Sequence, residues 1–363
     1  MSPASLRRSK RHLGASGPIA RMGLLTGLIG FLSASAACAQ DRVRVQYPEK
    51  PGVVVLIGEV EDFLGESLTI RLKTSGAEIV RSDQILEVET YHTPSHREGL
   101  DLLDKGETDQ ALSRLEAALK EENRKWVRRR IYAALVRGYS RKGDLLSAAR
   151  SFEVILVEDP STTHWAVAPL VWSPTPVGGP LRNQARAWLT DPQPGLRLLG
   201  ASFLLLDPTE GEQARRELAD LARSPQRPIA PLARAQVWRT RLAESAIREN
   251  ELQSWRAEIE YLPRSLRAGP QYLLARGYLT RSAPRDAAAE FLWLPAVYSD
   301  LEVLSSRSLW EAAAALREVQ GDREASTILR SLVEQYPWSV EAVEARALLA
   351  AEKPEGSSDA DAR

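Results

Sequence analysis

Few residues of this chain have types and spacings that could do chemistry. His92 and His96 stand four apart, which on a helix would put both imidazoles on one face as a metal pair, with Glu98 and Asp101 near enough to add oxygen ligands. Pro94 lies between them, where a helix would only be starting, so helical geometry is not secured there and the expectation is a solvated linker. No glycine-rich phosphate loop, Gly-x-Ser-x-Gly elbow or His-Glu-x-x-His stretch occurs. The single cysteine, Cys38, excludes a thiolate zinc site and any intramolecular disulfide. Carboxylates are abundant but sit among lysines and arginines, as on solvated helix faces. No catalytic, cofactor-binding or metal residue is assigned, and no cofactor is expected. An enzyme with a site near residues 161–180, or around His92 and His96, is the outlying alternative.

Spacings suited to binding are better defined. Arg130, Arg137 and Arg141 are separated by seven and four, so on a helix they share one stripe, opposite Tyr132, Leu135, Val136 and Tyr139. Three guanidiniums on one face suit an acidic or carboxylate-bearing partner, because each can make bidentate hydrogen bonds. The plainer alternative pairs them with Glu121, Glu122 or other acids of the preceding segment. Arg124, Lys125, Arg128 and Arg129 add a local basic patch. The other candidate is "STTHWAVAPLVWSPTPVGGP", residues 161–180, a proline-rich loop of a length uncommon inside a packed helical protein. Trp165 and Trp172 within it bury large apolar area wherever they land. The loop is expected either to pack against neighbouring helices or to fold over a groove as a hydrophobic binding spot. Trp188, Trp238, Trp293 and Trp310 fall at apolar helical positions and read as core.

The ends of the chain set the context. Residues 1–39 carry Arg7, Arg8, Lys10, Arg11 and Arg21 without an acid, then an apolar run from Met22 to Leu32 and the small-residue stretch "SASAACAQ". This is the pattern of a secretory signal peptide, with cleavage expected before Gln40 and lipidation at Cys38 as the alternative. The strongly apolar part is about half of the ~20 residues a spanning helix needs, so no transmembrane span is expected after cleavage. Removing five basic residues from a chain balanced at 48 basic and 48 acidic leaves a net charge of −5. Nucleic acid is therefore not an expected partner, since its binding proteins carry a basic footprint. The location expected is extracytoplasmic, periplasmic in a bacterium, and envelope-associated if Cys38 is lipidated.

The elements that must position these residues fall into two kinds. Over residues 43–91, "VVVLIGEVEDF", "SLTIRLK", "AEIVR" and "ILEVETY" are short runs rich in Val, Ile and Thr, broken by turn residues. Their order resembles an SH3-like or Sm-like barrel, which implies an oligomerisation or docking module. From His96 onward the pattern is helical and repetitive. Gly99, Leu102, Gly106, Ala111, Leu115 and Ala118 recur 37 residues later as Val136, Tyr139, Gly143, Ala148, Phe152 and Ile155, closed by Pro160. Two helices crossing closely at small residues are the physical content of that spacing, and it resembles the tetratricopeptide repeat (TPR).

Weaker copies occur over 269–352. One runs Ala275, Tyr278, Ala287, Phe291 and Leu294, with Ser282 where the turn glycine would stand. Another runs Ala313, Leu316, Ala325, Leu329, Leu332 and Pro337, with Gly321 one place late. The last hairpin resembles the Tyr-Pro-x-Ser repeats of bacterial envelope-assembly proteins. Residues 181–262 put proline-bearing turns before apolar helices, as HEAT-like repeats do. The fold class expected is mainly α, an α-solenoid of TPR and TPR/HEAT-like hairpins after a small all-β barrel, with two TPR units over 96–160 and a disordered polar tail over 353–363. The resemblance implies that the first helix of each hairpin lines a concave face, which would put Arg130, Arg137 and Arg141 in the groove. The function expected is a non-catalytic scaffold for a protein or peptide partner, with a lipid-anchored envelope or cell-wall assembly factor as the alternative.

Overall fold

The computed structural model describes residues 40–174, 178–226, 228–245 and 247–351. The segment expected to be a signal peptide, with Cys38, and the polar tail expected over 353–363 lie outside the described residues. Alternation starts at once: in "DRVRV", Asp41, Val43 and Val45 are buried and the two arginines exposed, which makes β1 (Asp41–Val45). It is followed by β2 (Val54–Phe63), β3 (Ser67–Leu72), β4 (Gly76–Arg81) and β5 (Ile85–Glu89). All neighbours are antiparallel in the order β4-β3-β2-β1-β5. The two edge strands are consecutive in the chain and are joined by a 3-10 turn at Ser82–Gln84. Sequence reasoning marked four of these strands and passed over β1, although its strict alternation is a legible signal.

Fourteen α-helices follow among the described residues: α1 (Pro94–Asp104), α2 (Thr108–Glu121), α3 (Lys125–Arg141), α4 (Leu145–Glu158), α5 (Gly179–Leu189), α6 (Pro194–Leu204), α7 (Gly211–Leu221), α8 (Ile229–Ala243), α9 (Glu249–Tyr261), α10 (Ala268–Thr280), α11 (Pro284–Val297), α12 (Glu302–Arg317), α13 (Asp322–Gln335) and α14 (Val340–Ala351). None is long and apolar enough to cross a membrane.

Four of the hairpins are built on one turn. Gly106 and Gly143 adopt left-handed backbone with φ of 80° and 74°, and Ser282 and Gln320 do so at 57° and 61°. In each, the left-handed residue donates its N–H to the carbonyl three back (Leu103, Ser140, Leu279, Arg317). The next residue donates to the carbonyl five back (Leu102, Tyr139, Tyr278, Leu316). This is the paired closure of a Schellman C-cap. The turn position in the last hairpin is thus Gln320, so Gly321 stands one place beyond it. Five residues after each turn comes a fully enclosed alanine (Ala111, Ala148, Ala287, Ala325). Nine after comes Leu115, Phe152, Phe291 or Leu329, and twelve after comes Ala118, Ile155, Leu294 or Leu332, all buried. Gly99 and Val136 are buried at the crossing, Leu102 and Tyr139 half-buried, and Pro160 exposed just past α4.

Apolar packing runs along the chain as overlapping clusters. The first joins Val43, Val60, Leu68 and Ile70 of the sheet to Leu103, Leu115, Trp126 and Ile131. The second spans α3 to α8, the third α8 to α12, and the fourth α12 to α14. Tyr132 and Tyr139 pack on both the first and second, Trp172 on the second and third, and Leu292, Leu316 and Ile328 on the third and fourth.

Candidate functional site

The three stripe arginines do not form one open groove face. Arg130 sits against the sheet, donating to the Val88 carbonyl (3.4 Å), with its guanidinium over the Trp126 ring at 4.8 Å. Arg137 pairs with Glu302 (3.5 Å) and Asp104 (3.9 Å). The side chain of Arg141 is 2% exposed and is gripped from several sides: it pairs with Glu302, donates to the Leu103 carbonyl (2.6 Å) and lies 4.1 Å from the Trp338 ring centre. Glu302 and Trp338 belong to the C-terminal hairpins, so α12 touches α3 and the chain of hairpins returns on itself. The acid shared by Arg137 and Arg141 is thus Glu302 rather than Glu121 or Glu122, while Asp104 of the preceding hairpin adds a second partner to Arg137. The three arginines of the basic patch are engaged internally as well, while Lys125 is exposed. Arg124 binds Glu122 and the Tyr91 carbonyl, Arg128 the carbonyls of Leu119 and Glu122, and Arg129 both Asp62 and Glu158.

The proline-rich loop is the other half of the arrangement. Its first part makes a short 3-10 turn, His164–Val167, and Trp165 packs edge-on against Phe152 at 5.4 Å. The stretch that follows is pinned from behind. Val171 donates to Ser202 Oγ (2.9 Å), and the enclosed Arg239 donates to the carbonyls of Ser173 (2.8 Å) and Ser202 (2.6 Å). Burial without an acid partner pushes the Arg239 guanidinium down to about 9. Trp172 fills the space between two core clusters and presses on Gly269 at the start of α10.

Where this loop meets α3, α8, α10 and the start of α12 there is a cavity of about 260 Å³. Its walls are mostly apolar (Trp165, Leu170, Trp172, Leu232, Leu266, Leu304), while Arg137, Asp300, Glu302 and Arg307 bring charge to it. Val303, 42% exposed, opens it to solvent. Among the described residues Arg307 pairs only with Glu311, at 4.0 Å, and Glu311 is already engaged by Arg276 and Tyr272. The volume exceeds that of a cavity that holds benzene, ~150 Å³, so it accommodates an indole-sized or branched aliphatic group. Trp165 and Trp172, singled out in the sequence, both line this cavity, whereas Val303, Arg307 and Glu302 carried no local signal.

His92 and His96 are brought together, with ring centroids 4.2 Å apart, but not as a solvated linker. Thr93 caps α1, Pro94 occupies its first turn, and His96 is 1% exposed. Burial, the neighbouring His92 and the guanidiniums of Arg130 and Arg124 push the His96 imidazole down to about 4, against the opposing pull of Glu122. Among the described residues no group of three or more His, Cys, Asp or Glu is placed to hold a metal. Trp188 and Trp238 are core as expected, whereas Trp293 is 55% exposed on α11, because the helix turns its Phe291 and Leu294 inward instead.

Compared with known proteins, the chain matches no family model, no curated protein and no solved structure.

Proposed function

We propose that this protein is a non-catalytic, extracytoplasmic scaffold, an α-solenoid of TPR-like and HEAT-like hairpins that takes up a protein or peptide partner on its inner face. The N-terminal sheet is read as an SH3-like or Sm-like barrel, a reading favoured by edge strands that are consecutive through a 3-10 turn. The observation that carries the proposal is the cavity walled by Trp165, Trp172 and the start of α12, open at Val303 and bearing the loosely held Arg307. Apolar walls with a few placed charges are what recognition of a single anchoring side chain requires. In this reading the partner inserts one apolar side chain, and Arg307 meets an acidic group beside it.

The test is affinity capture from an envelope extract with residues 40–363 as bait, run beside Val303→Asp and Arg307→Glu baits. Both positions are solvent-accessible, so the fold is expected to survive by circular dichroism. A partner held by the parent bait and lost by both variants supports the cavity as the site. A partner retained by both variants removes the cavity from the interaction.

A further inference from the structure

Neighbouring apolar clusters along this chain share bridging side chains, yet the first cluster and the last share none. The contact that brings α12 back to α3 is of a different kind from the rest of the core. It consists of the Arg141–Glu302 pair, the Arg137–Glu302 pair, and the Trp338 ring seated on Arg141 and against Gly106. An apolar seam of the same extent would lose burial outright on opening. A buried ion pair regains hydration when it parts, which offsets most of the lost attraction. The polar seam is thus the place where the closed chain of hairpins separates at least cost.

The seam also borders the cavity. Arg137 and Ser140 line it from α3, Glu302 and Val303 from α12, so parting the two helices widens its mouth, while the Trp165–Phe152 contact and the Arg239 bonds to Ser173 and Ser202 involve neither side of the seam. We infer that the Arg141–Glu302–Trp338 contact is a releasable clasp, and that its opening is the route by which an apolar group enters the cavity. This rests on the reading of the cavity as a binding site. The clasp holds the closed form with charge and an indole face, while the pinned Trp loop stays fixed as the floor.

Small-angle scattering and stopped-flow binding of anilinonaphthalene sulfonate test this on residues 40–363, the cavity signal being the part lost in Val303→Asp. Glu302→Gln weakens the pair, and Trp338→Leu keeps apolar bulk beside Gly106 while removing the ring from Arg141, so one variant serves if the other does not fold. Arg182→Gln, which breaks a pair with Asp207 remote from both seam and cavity, controls for general loosening. The expected result is a larger radius of gyration and an association rate raised about tenfold or more in the clasp variants, with neither change in the control. Unchanged dimensions overturn the clasp. Larger dimensions with an unchanged association rate overturn it as the route of entry, and an equal effect in the control overturns it as a local device. Neither readout contains a partner, so a failure here is distinct from a failure of the proposed function.

Discussion

The imidazole of His96 is held neutral by its surroundings. Its nearest titratable neighbours are His92 from the segment before α1, Glu122 from the end of α2, and Arg124 and Arg130 at the start of α3. A second positive charge among those arginines is resisted, and the folded value of about 4 lies below the ordinary 6.5. The native state therefore binds fewer protons than the unfolded chain between these values. Stability is complete above about pH 6.5 and is shed as pH falls toward 4, by on the order of 2–3 kcal/mol. The lowered value of His92 acts in the same direction. Thermal melts across pH 4.5–7.5 check this: the parent loses stability on the acid side, and His96→Phe, which keeps the buried ring and removes the titration, loses less. An acid limb identical in the variant would show that other groups govern it.

At the scale of the element, the hairpin turns carry a measurable inconsistency. The first two repeats place glycine at the left-handed position, and the last two place Ser282 and Gln320 in the same conformation, with the same hydrogen bonds. A side chain there crowds the following carbonyl, a penalty glycine escapes, although glycine also costs more entropy to order. Ser282→Gly and Gln320→Gly are each expected to stabilise the protein by about 0.5–1 kcal/mol, read as a higher denaturation midpoint with an unchanged slope. Because the four turns and the alanines five residues beyond them are equivalent, the hairpins are one structural unit written four times. Among the helices between them, α5 to α9, only the end of α8 shares the left-handed position among the described residues: Ser245 (φ 53°) donates its N–H to the Leu242 carbonyl. α5, α6 and α8 begin beside prolines that fix φ and lack a donor where none is needed.

At the scale of the whole molecule, the N-terminal sheet and the helices pack as one compact body. Trp126 donates from its indole nitrogen to the Val60 carbonyl (3.1 Å), Asp159 accepts from the Gly65 N–H (2.9 Å), and Arg129 bridges Asp62 to Glu158. Gly65 lies so close to the Ser161 carbonyl that a β-carbon would stand 1.7 Å from its oxygen, and that neighbour is backbone. Gly65→Ala is expected to cost about 1–3 kcal/mol or more and to loosen the docking of β2 and β3 on the end of α4. Hydrogen exchange would show it as lost protection in both places together, and loss confined to the β2–β3 turn would separate the sheet from the helical body.

What the sequence by itself determined is local. Period-two alternation in "SLTIRLK" and the Gly-Ala-Leu/Phe-Ala/Ile register of residues 99–118 and 136–155 become strands and hairpins because they act over a turn or a pleat, where spacing alone places side chains on a face. The Trp loop was legible for the same reason, as an interruption of that period. The tertiary structure alone decided that Arg137 and Arg141 are closed off by Glu302, that His96 is buried, and that Val303 and Arg307 open on one cavity. Arg141 and Glu302 are separated by 161 residues, and their meeting depends on the accumulated rotation of every helix pair between them. A small change in any one crossing moves the far end by many ångströms, so no local spacing encodes the contact. The stripe on α3 fixed which way the arginines point, and the return of the chain fixed what they touch.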